Sequence, residues 1–286
     1  MKTLTEPAYA KINLSLDVLG RRADGYHDLK MVMQSVSLCD RVTMTLGETE
    51  GLTLSTNLGF LPVDEKNIAV MAARAFARHT GVGLDALSIH IDKKIPVCAG
   101  TAGGSSDGAA VLRGLNRLFE TGLSLEQLAK IGEEVGSDVP YCVLGGTALA
   151  QGRGEVLTPL TPLSTCHIVL CKPGFPISTP ELYHAIDGIR LRCRPDTAGL
   201  LGALERQDLR GVAQRMFNVF EQALPVKRRM VIEEIKNTLI QHGALGACMS
   251  GSGPTVFGIF QSEQGAENAA RELAQTYAET FVVQPV

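Results

Sequence analysis

The chain has 286 residues with 27 basic and 30 acidic side chains, a formal net charge of −3, and 45% hydrophobic residues. That balance excludes an electrostatic nucleic-acid binder, no apolar run approaches the ~18 residues of a membrane span, and the N-terminus lacks a signal-type apolar stretch. Seven scattered cysteines without a C-x-x-C pair exclude a disulfide framework or zinc site, so a soluble, cytoplasmic α/β-type protein with no nucleic-acid or membrane partner is expected.

Residues 9–18 alternate, with Ile12, Leu14, Leu16 and Val18 on one face and Lys11, Asn13, Ser15 and Asp17 on the other. Such a pattern predicts a half-buried strand with a polar face. Asp24-Gly25 marks a turn, and MVMQSVSL and RVTMTL then read as two further strands of an antiparallel meander. Residues 67–81 read as a helix closed by Gly81, and 86–91 as a strand. Residues 93–119 pass through a glycine-rich loop into a helix. Ser124 and Gln127 form a capping box for a helix over 124–136. TALAQ and CHIVLCK read as strands, and Pro159 and Pro162 mark a boundary near residue 160. Beyond it come helices near 179–187, 208–223 and 226–241, strands in ALGACMS and TVFGIF, a helix near 264–277 and a final strand, FVVQP. The alternation of strands and helices suggests an α+β sandwich in each half.

Thirty glycines, without a repeat, exceed the usual share of roughly 7%. Several cluster in PVCAGTAGGSSDGAAVL, where Gly100, Gly103 and Gly104 deliver the chain into a helix beginning near Ser105 or Ser106. The first amides of a helix lack internal partners and favour negative charge, so the segment is a phosphate-cradle candidate. A flexible turn with serine N-caps is the competing reading. The sequence contains no Gly-Lys pair, which removes a Walker-type loop. Its one G-x-G-x-x-A match, Gly81 to Ala86, lies after a helix and before a strand, the wrong context for a dinucleotide fold. A second cluster, MSGSGPTVF, reads alone as a hairpin turn. Asp138 in GSDVP reads alone as a cap or turn residue, with Pro140 blocking helix continuation, and Lys11 as a solvent-facing side chain. Arg190, Arg192 and Arg194 alternate and read as a solvated face. Phosphoryl transfer to an alcohol supplies a reason to pair Asp138 with Lys11: it needs a carboxylate to accept the proton and a cation to offset developing charge.

Four blocks, AKINLSL, DGYH, IPVCAGTAGGSSDGAA and MSGSGPTVF, with GSDVP between the last two, together resemble the GHMP kinase superfamily of galactose, homoserine, mevalonate and phosphomevalonate kinases. They lie between residues 8 and 260. KINL followed by RRADGYH resembles the branch acting on a cytidine diphosphate ester of methylerythritol in non-mevalonate isoprenoid synthesis. The resemblance implies a two-domain α+β fold. A ribosomal protein S5 domain 2-like α/β domain would occupy residues 1–160 and a ferredoxin-like α/β sandwich residues 161–286, with the active site in the cleft. It implies an ATP- and Mg2+-dependent kinase phosphorylating the 2-hydroxyl of that small molecule, as a monomer or homodimer.

Residue by residue, the resemblance makes Asp138 the base and Lys11 its orienting cation. Pro96, Val97, Cys98, Ala99, Gly100, Thr101, Ala102, Gly103, Gly104, Ser105 and Ser106 would wrap the ATP phosphates, with Ser105 or Ser106 near magnesium and Asn67 on the adenosine side. Tyr26 would stack on cytosine, His27 would hydrogen-bond its edge and Tyr183 would supply the opposing face. Asn13 and Thr179 would touch substrate, and Gly251, Ser252 and Gly253 would close its diphosphate side. Relatives commonly carry glycine at positions 98 and 102 and leucine at 101. With Cys98 and Ala102 there, the loop is expected to follow a less extreme backbone path. The alternatives are a family kinase with another alcohol or phosphate acceptor, or an inactive nucleotide-binding relative; retention of both Lys11 and Asp138 argues against the latter.

Overall fold

The computed structural model describes residues 2–47 and 50–286. They form two compact units: Met1–Ala10, Leu38–Val97 and Ala102–Gly145 in the first, Lys11–Ser37, Cys98–Thr101 and Gly146–Val286 in the second.

The first unit contains the start of β1 (Lys2–Arg21) and the end of β2 (His27–Leu46), then β3 (Thr53–Thr56), α1 (Ile68–Thr80), β4 (Leu87–Asp92), α2 (Gly103–Leu118), α3 (Leu125–Glu133) and α4 (Val139–Leu144). β4 runs antiparallel to β2 from Arg41↔Asp92 to Leu46↔Leu87, and parallel to β3. Inward-facing Leu87, Ile89, Ile91 and Met44 meet Phe76 of α1 and Leu112 and Leu115 of α2 in one core. Small residues let α1 and α2 approach closely: a Cβ added at Gly108 would lie 2.8 Å from Ile68 Cγ2. Asn67 caps α1 by accepting from Ala69 N, and Gly81 closes it at φ 75°. The Ser124–Gln127 capping box forms as predicted, although α3 stops at Glu133. α3 does not continue through Pro140, and a separate helix, α4, begins here. Pro140 lies in the first turn of α4, where a missing N–H costs nothing.

MVMQSVSL and RVTMTL are one continuous strand, not two. Asp40 is the reason the chain does not turn between them. Its buried carboxylate accepts from the backbone N–H groups of Lys94 and Ile95, so it is spent on tertiary bonds and not on a local turn.

The second unit holds the rest of β1 and β2, then β5 (Thr147–Gly152), β6 (Val156–Pro159), β7 (His167–Lys172), α5 (Thr179–Asp187), α6 (Thr197–Glu205), α7 (Leu209–Gln214), β8 (Phe217–Asn218), α8 (Val226–Gln241), β9 (Gly246–Met249), β10 (Val256–Phe260), α9 (Glu263–Leu273) and β11 (Glu279–Val283). β5 pairs with β2 and β6, and β8 runs parallel to β1 at Ser15 and Leu16. A separate antiparallel sheet has the order β11-β7-β10-β9. With α8 and α9 it buries Phe257, Ile259, Phe260, Ile235, Leu239 and Ala269.

Two expectations change here. The predicted helix over 208–223 is α7, then β8, then a 3-10 turn over Val219–Ala223. Asn218 breaks it, because its Oδ1 accepts from Phe220 N while its Nδ2 donates to Met249 O and Gly251 O at 2.8 Å each. The polar face of β1 is not solvated: Lys11, Asn13, Ser15 and Asp17 are all buried. Arg190, Arg192 and Arg194 are exposed, as expected of a solvated face, and the Arg194 guanidinium also donates to Asp17 Oδ1 at 2.6 Å and to Val18 O.

Candidate active site

Lys11 lies on β1 and is 4% exposed, which removes the solvent-facing reading. Its ammonium donates to Asn13 Oδ1 at 2.6 Å and to Gly100 O at 3.1 Å, while its backbone N–H donates to Thr101 O. Alternation on a strand puts residues 11 and 13 on one face, which is why Asn13 can hold Lys11. Asn13 is fully buried, and its Nδ2 faces Met31 Sδ at 3.4 Å. In this arrangement it steadies the cation.

Two glycine-rich loops meet beside Lys11. Gly100 has φ 76°, and a Cβ there would collide with Ser250 O and lie 2.8 Å from Gly253 N. A Cβ on Gly251 would lie 2.8 Å from Gly100 O and 3.2 Å from Lys11 Nζ. Only glycine allows these approaches. Ser250 fastens the contact, since its Oγ donates to Gly100 O at 3.0 Å and accepts from Asn13 N at 3.3 Å. Thr255 N donates to Ala99 O, and Asn218 holds the carbonyls of Met249 and Gly251 from behind. Thr179 Oγ1 and Ser252 Oγ are 2.8 Å apart. The hairpin-turn reading of MSGSGP holds, since the segment joins antiparallel β9 and β10, and the turn also packs against the first glycine loop.

The phosphate-cradle segment does not relax around its missing glycines. Cys98 at φ 53° and Ala102 at φ 57° both sit in the left-handed region, with Gly100 between them. The expectation of a less extreme path is overturned: the backbone keeps the glycine-type conformation at about 1–2 kcal/mol per non-glycine residue. Surrounding bonds hold it there, as strained residues require. α2 starts directly after Ala102, with no side-chain cap and no acidic residue in its first turn. The serine N-cap alternative is thereby removed: Ser105 lies inside the helix, and Ser106 is buried, its Oγ donating to Tyr9 O at 2.6 Å. A 16-residue helix with a bare N-terminus behind a glycine-rich loop fits a phosphate chain. Among the described residues no group of three or more His, Cys, Asp or Glu side chains could hold a metal.

Asp138 occupies the N-cap position of α4, yet its side chain makes no capping hydrogen bond. That removes the cap reading. Asn67 spends both ends of its amide locally, on Ala69 N and on Pro62 O at 2.7 Å.

The DGYH turn and α5 supply aromatic groups. Tyr26 is 55% exposed, and the Arg153 guanidinium sits 5.1 Å from its ring centroid. Buried His27 shares a 2.8 Å hydrogen bond with Asp187 through Nε2. Its ring stacks on Tyr183 at 4.6 Å, and Tyr183 meets Phe220 edge-on at 5.0 Å. His27 and Tyr183, expected on separate sides of a base, are thus in contact with each other. Arg153, Asp187, Phe220, Asn218 and Ser250 were not singled out by motif. Only Ser250 lies inside a quoted block; the others become visible through tertiary contacts.

Residues 67–146 match the family model described as GHMP kinases N terminal domain, and residues 200–279 that described as GHMP kinases C terminal. A curated relative from Lachnoclostridium phytofermentans, named 4-diphosphocytidyl-2-C-methyl-D-erythritol kinase, is 46% identical over 95% of this chain and 93% of its own length. One of the same name from Alkaliphilus metalliredigens is 43% identical over 99% and 97%. The chain belongs to this family of GHMP kinases. A solved structure of 4-(cytidine 5'-diphospho)-2C-methyl-D-erythritol kinase aligns with a TM-score of 0.82 at 30% identity, covering 99% of both chains. A homoserine kinase from Cytophaga hutchinsonii shares the fold, with a TM-score of 0.77 at 20% identity over 100% of this chain and 95% of its own. The two-domain α+β fold expected from the sequence is the fold of this family.

Proposed function

We infer that the protein is an ATP-dependent kinase that phosphorylates the 2-hydroxyl of 4-diphosphocytidyl-2-C-methyl-D-erythritol, a step of non-mevalonate isoprenoid synthesis. The reading is carried by a buried Lys11 ammonium held by Asn13 Oδ1 and Gly100 O, in a chain whose close relatives bear that name.

Residues 96–106 wrap the ATP phosphates, with the bare amides at the start of α2 facing negative charge. Ser105 or Ser106 would hold magnesium together with the phosphate oxygens; the metal would supply charge neutralisation on the transferring group. Ser106 Oγ keeps acceptor capacity after donating its proton to Tyr9 O. Asp138 takes the proton from the 2-hydroxyl as that oxygen bonds to the γ-phosphorus, and the bond from the γ-phosphorus to the bridging oxygen breaks to release ADP. Lys11 offsets charge on the transferring phosphoryl. Two fixed acceptors aim its ammonium, so no reorganisation is needed as charge develops. Tyr26 offers an exposed ring for cytosine, with Arg153 over it, and Asp187 fixes the orientation of His27 at the base edge. Tyr183, Thr179 and the 251–253 loop complete the acceptor side.

The test is an ATP-consumption assay with purified protein, Mg2+ and a panel of acceptors. Stoichiometric ADP and a phosphorylated product are expected from the cytidine compound and none from homoserine or mevalonate. Equal turnover of another acceptor would overturn the substrate assignment.

A further inference from the structure

Behind the phosphate loop lies a buried charge cluster that the reaction scheme does not use. The Lys93 ammonium donates to Asp40 Oδ2 and, at 2.6 Å, to Asp107 Oδ2. All three side chains are buried. Asp40 Oδ1 in turn accepts from the backbone N–H groups of Lys94 and of Ile95, the latter at 2.8 Å. Asp107 Oδ1 is buried and has no hydrogen-bond partner. In sequence these contacts bracket the loop: Lys93 to Ile95 lead into it, and Asp107 lies on α2 just beyond it. Gly103 lies against the same cluster, because a Cβ there would fall 3.4 Å from Lys93 Nζ and 3.0 Å from Ile95 Cγ2.

We propose that Asp40, Lys93 and Asp107 form a positioning clamp that ties both stems of the phosphate loop together and thereby sets ATP affinity. The proposal rests on reading residues 96–106 as the ATP-phosphate loop. Cys98 and Ala102 hold left-handed conformations that an unrestrained loop would abandon. A loop whose ends are fixed has fewer ways to relax, and one ammonium bonded to both stems fixes them. The orphaned oxygen of Asp107 argues that the group is not there for packing alone, since an apolar residue would have avoided the desolvation. The tie needs only an acceptor oxygen at Asp107 facing Lys93. None of the three residues touches reacting atoms, so their effect should fall on ATP binding and not on the chemical step.

Asp107→Ala is the sharpest test, because it cuts the tie to α2 while Lys93 keeps Asp40 as partner and no lone buried charge results. The dissociation constant of ATP, read by calorimetry, and the KM for ATP should both rise about tenfold, a loss of about 1.4 kcal/mol in binding. The kcat at saturation and the KM for the acceptor should stay within threefold. Asp107→Asn keeps an acceptor oxygen for Lys93 and should recover most of the lost affinity. Lys93→Arg preserves charge but changes reach, and should fall between wild type and Asp107→Ala; it decides the matter should Asp107→Ala not fold. An unchanged ATP dissociation constant in a folded variant would overturn the clamp, as would equal rises in both KM values or a failure of Asp107→Asn to recover affinity. Wild-type protein that binds ATP but ignores the acceptor would refute the substrate assignment alone, and the calorimetric comparison would still judge the clamp.

Discussion

Replacing Gly100 by alanine measures how much the close approach of the two glycine loops contributes. The new Cβ is strained twice. At φ 76° an L-residue costs about 1–2 kcal/mol relative to glycine. The same Cβ collides with Ser250 O and crowds Gly253 N and Cα, both backbone atoms that cannot rotate away, which adds about 1–3 kcal/mol of overpacking. The sum, about 2–5 kcal/mol, is a large share of the 5–15 kcal/mol typical of a folded domain. Gly25→Ala is the control: its φ is 87° but nothing lies within 4 Å of the added Cβ, so only the conformational cost of about 1–2 kcal/mol should appear. Urea unfolding of both variants isolates the steric part as the difference between them. Turnover should fall with Gly100→Ala as well, because a displaced Gly100 carbonyl no longer holds Lys11. Equal destabilisation by the two substitutions would refute the close-approach argument, and unchanged kcat would refute the link from Gly100 to Lys11.

Asp138→Asn should lower kcat by about 10²–10⁴-fold with little change in the KM for ATP, in steady-state assays, because proton acceptance fails while phosphate binding persists. Tyr26→Ala should raise the KM for the cytidine compound by the equivalent of about 1–3 kcal/mol, the worth of stacking on a base. Alkylation followed by mass spectrometry at pH 8 should label exposed Cys98 and Cys193 first, and ATP should shield Cys98 but not Cys193. Burial pushes the Cys166 thiol up to about 12 and that of Cys171 up to about 11, so both should resist labelling until the chain unfolds. Burial also raises Asp107 to about 8, against an ordinary 3.8, with Lys93 opposing the shift. Its contribution to stability is therefore full below about pH 4 and lost as pH rises towards 8, and Asp107→Asn should flatten that part of a Tm-versus-pH curve.

Local rules made part of this molecule readable in one dimension. The capping box at Ser124, the αL closure at Gly81 and the turn at Gly25 each depend on a few adjacent residues, and each is found where the sequence put it. The glycine loop and the start of α2 were legible for the same reason. What stayed hidden was set by distant partners. Asn218 interrupts a helical pattern because it serves carbonyls 31 and 33 residues away. β2 reads as two strands in sequence, and only the structure shows that Asp40 between them is bonded to Lys94 and Ile95, more than fifty residues away. The polar face of β1 looked solvated because alternation reports which side chains point together, not what covers them. Cys98 and Ala102 misled in the opposite direction: residue preference suggested relaxation, and tertiary bonds overrode it.

The chain has five tyrosines and no tryptophan. Tyr183 is packed between His27 and Phe220, and Tyr26 stands exposed beside Arg153. Without an indole to drain their excitation, tyrosine emission in this protein is observable directly. A nucleobase settling on Tyr26 would quench it, and a disturbance of the Tyr183 stack would alter it separately. If the proposed cytosine site at Tyr26 holds, the aromatic groups at the DGYH turn would give a label-free optical readout of ligand binding, open to titration without modifying a single residue.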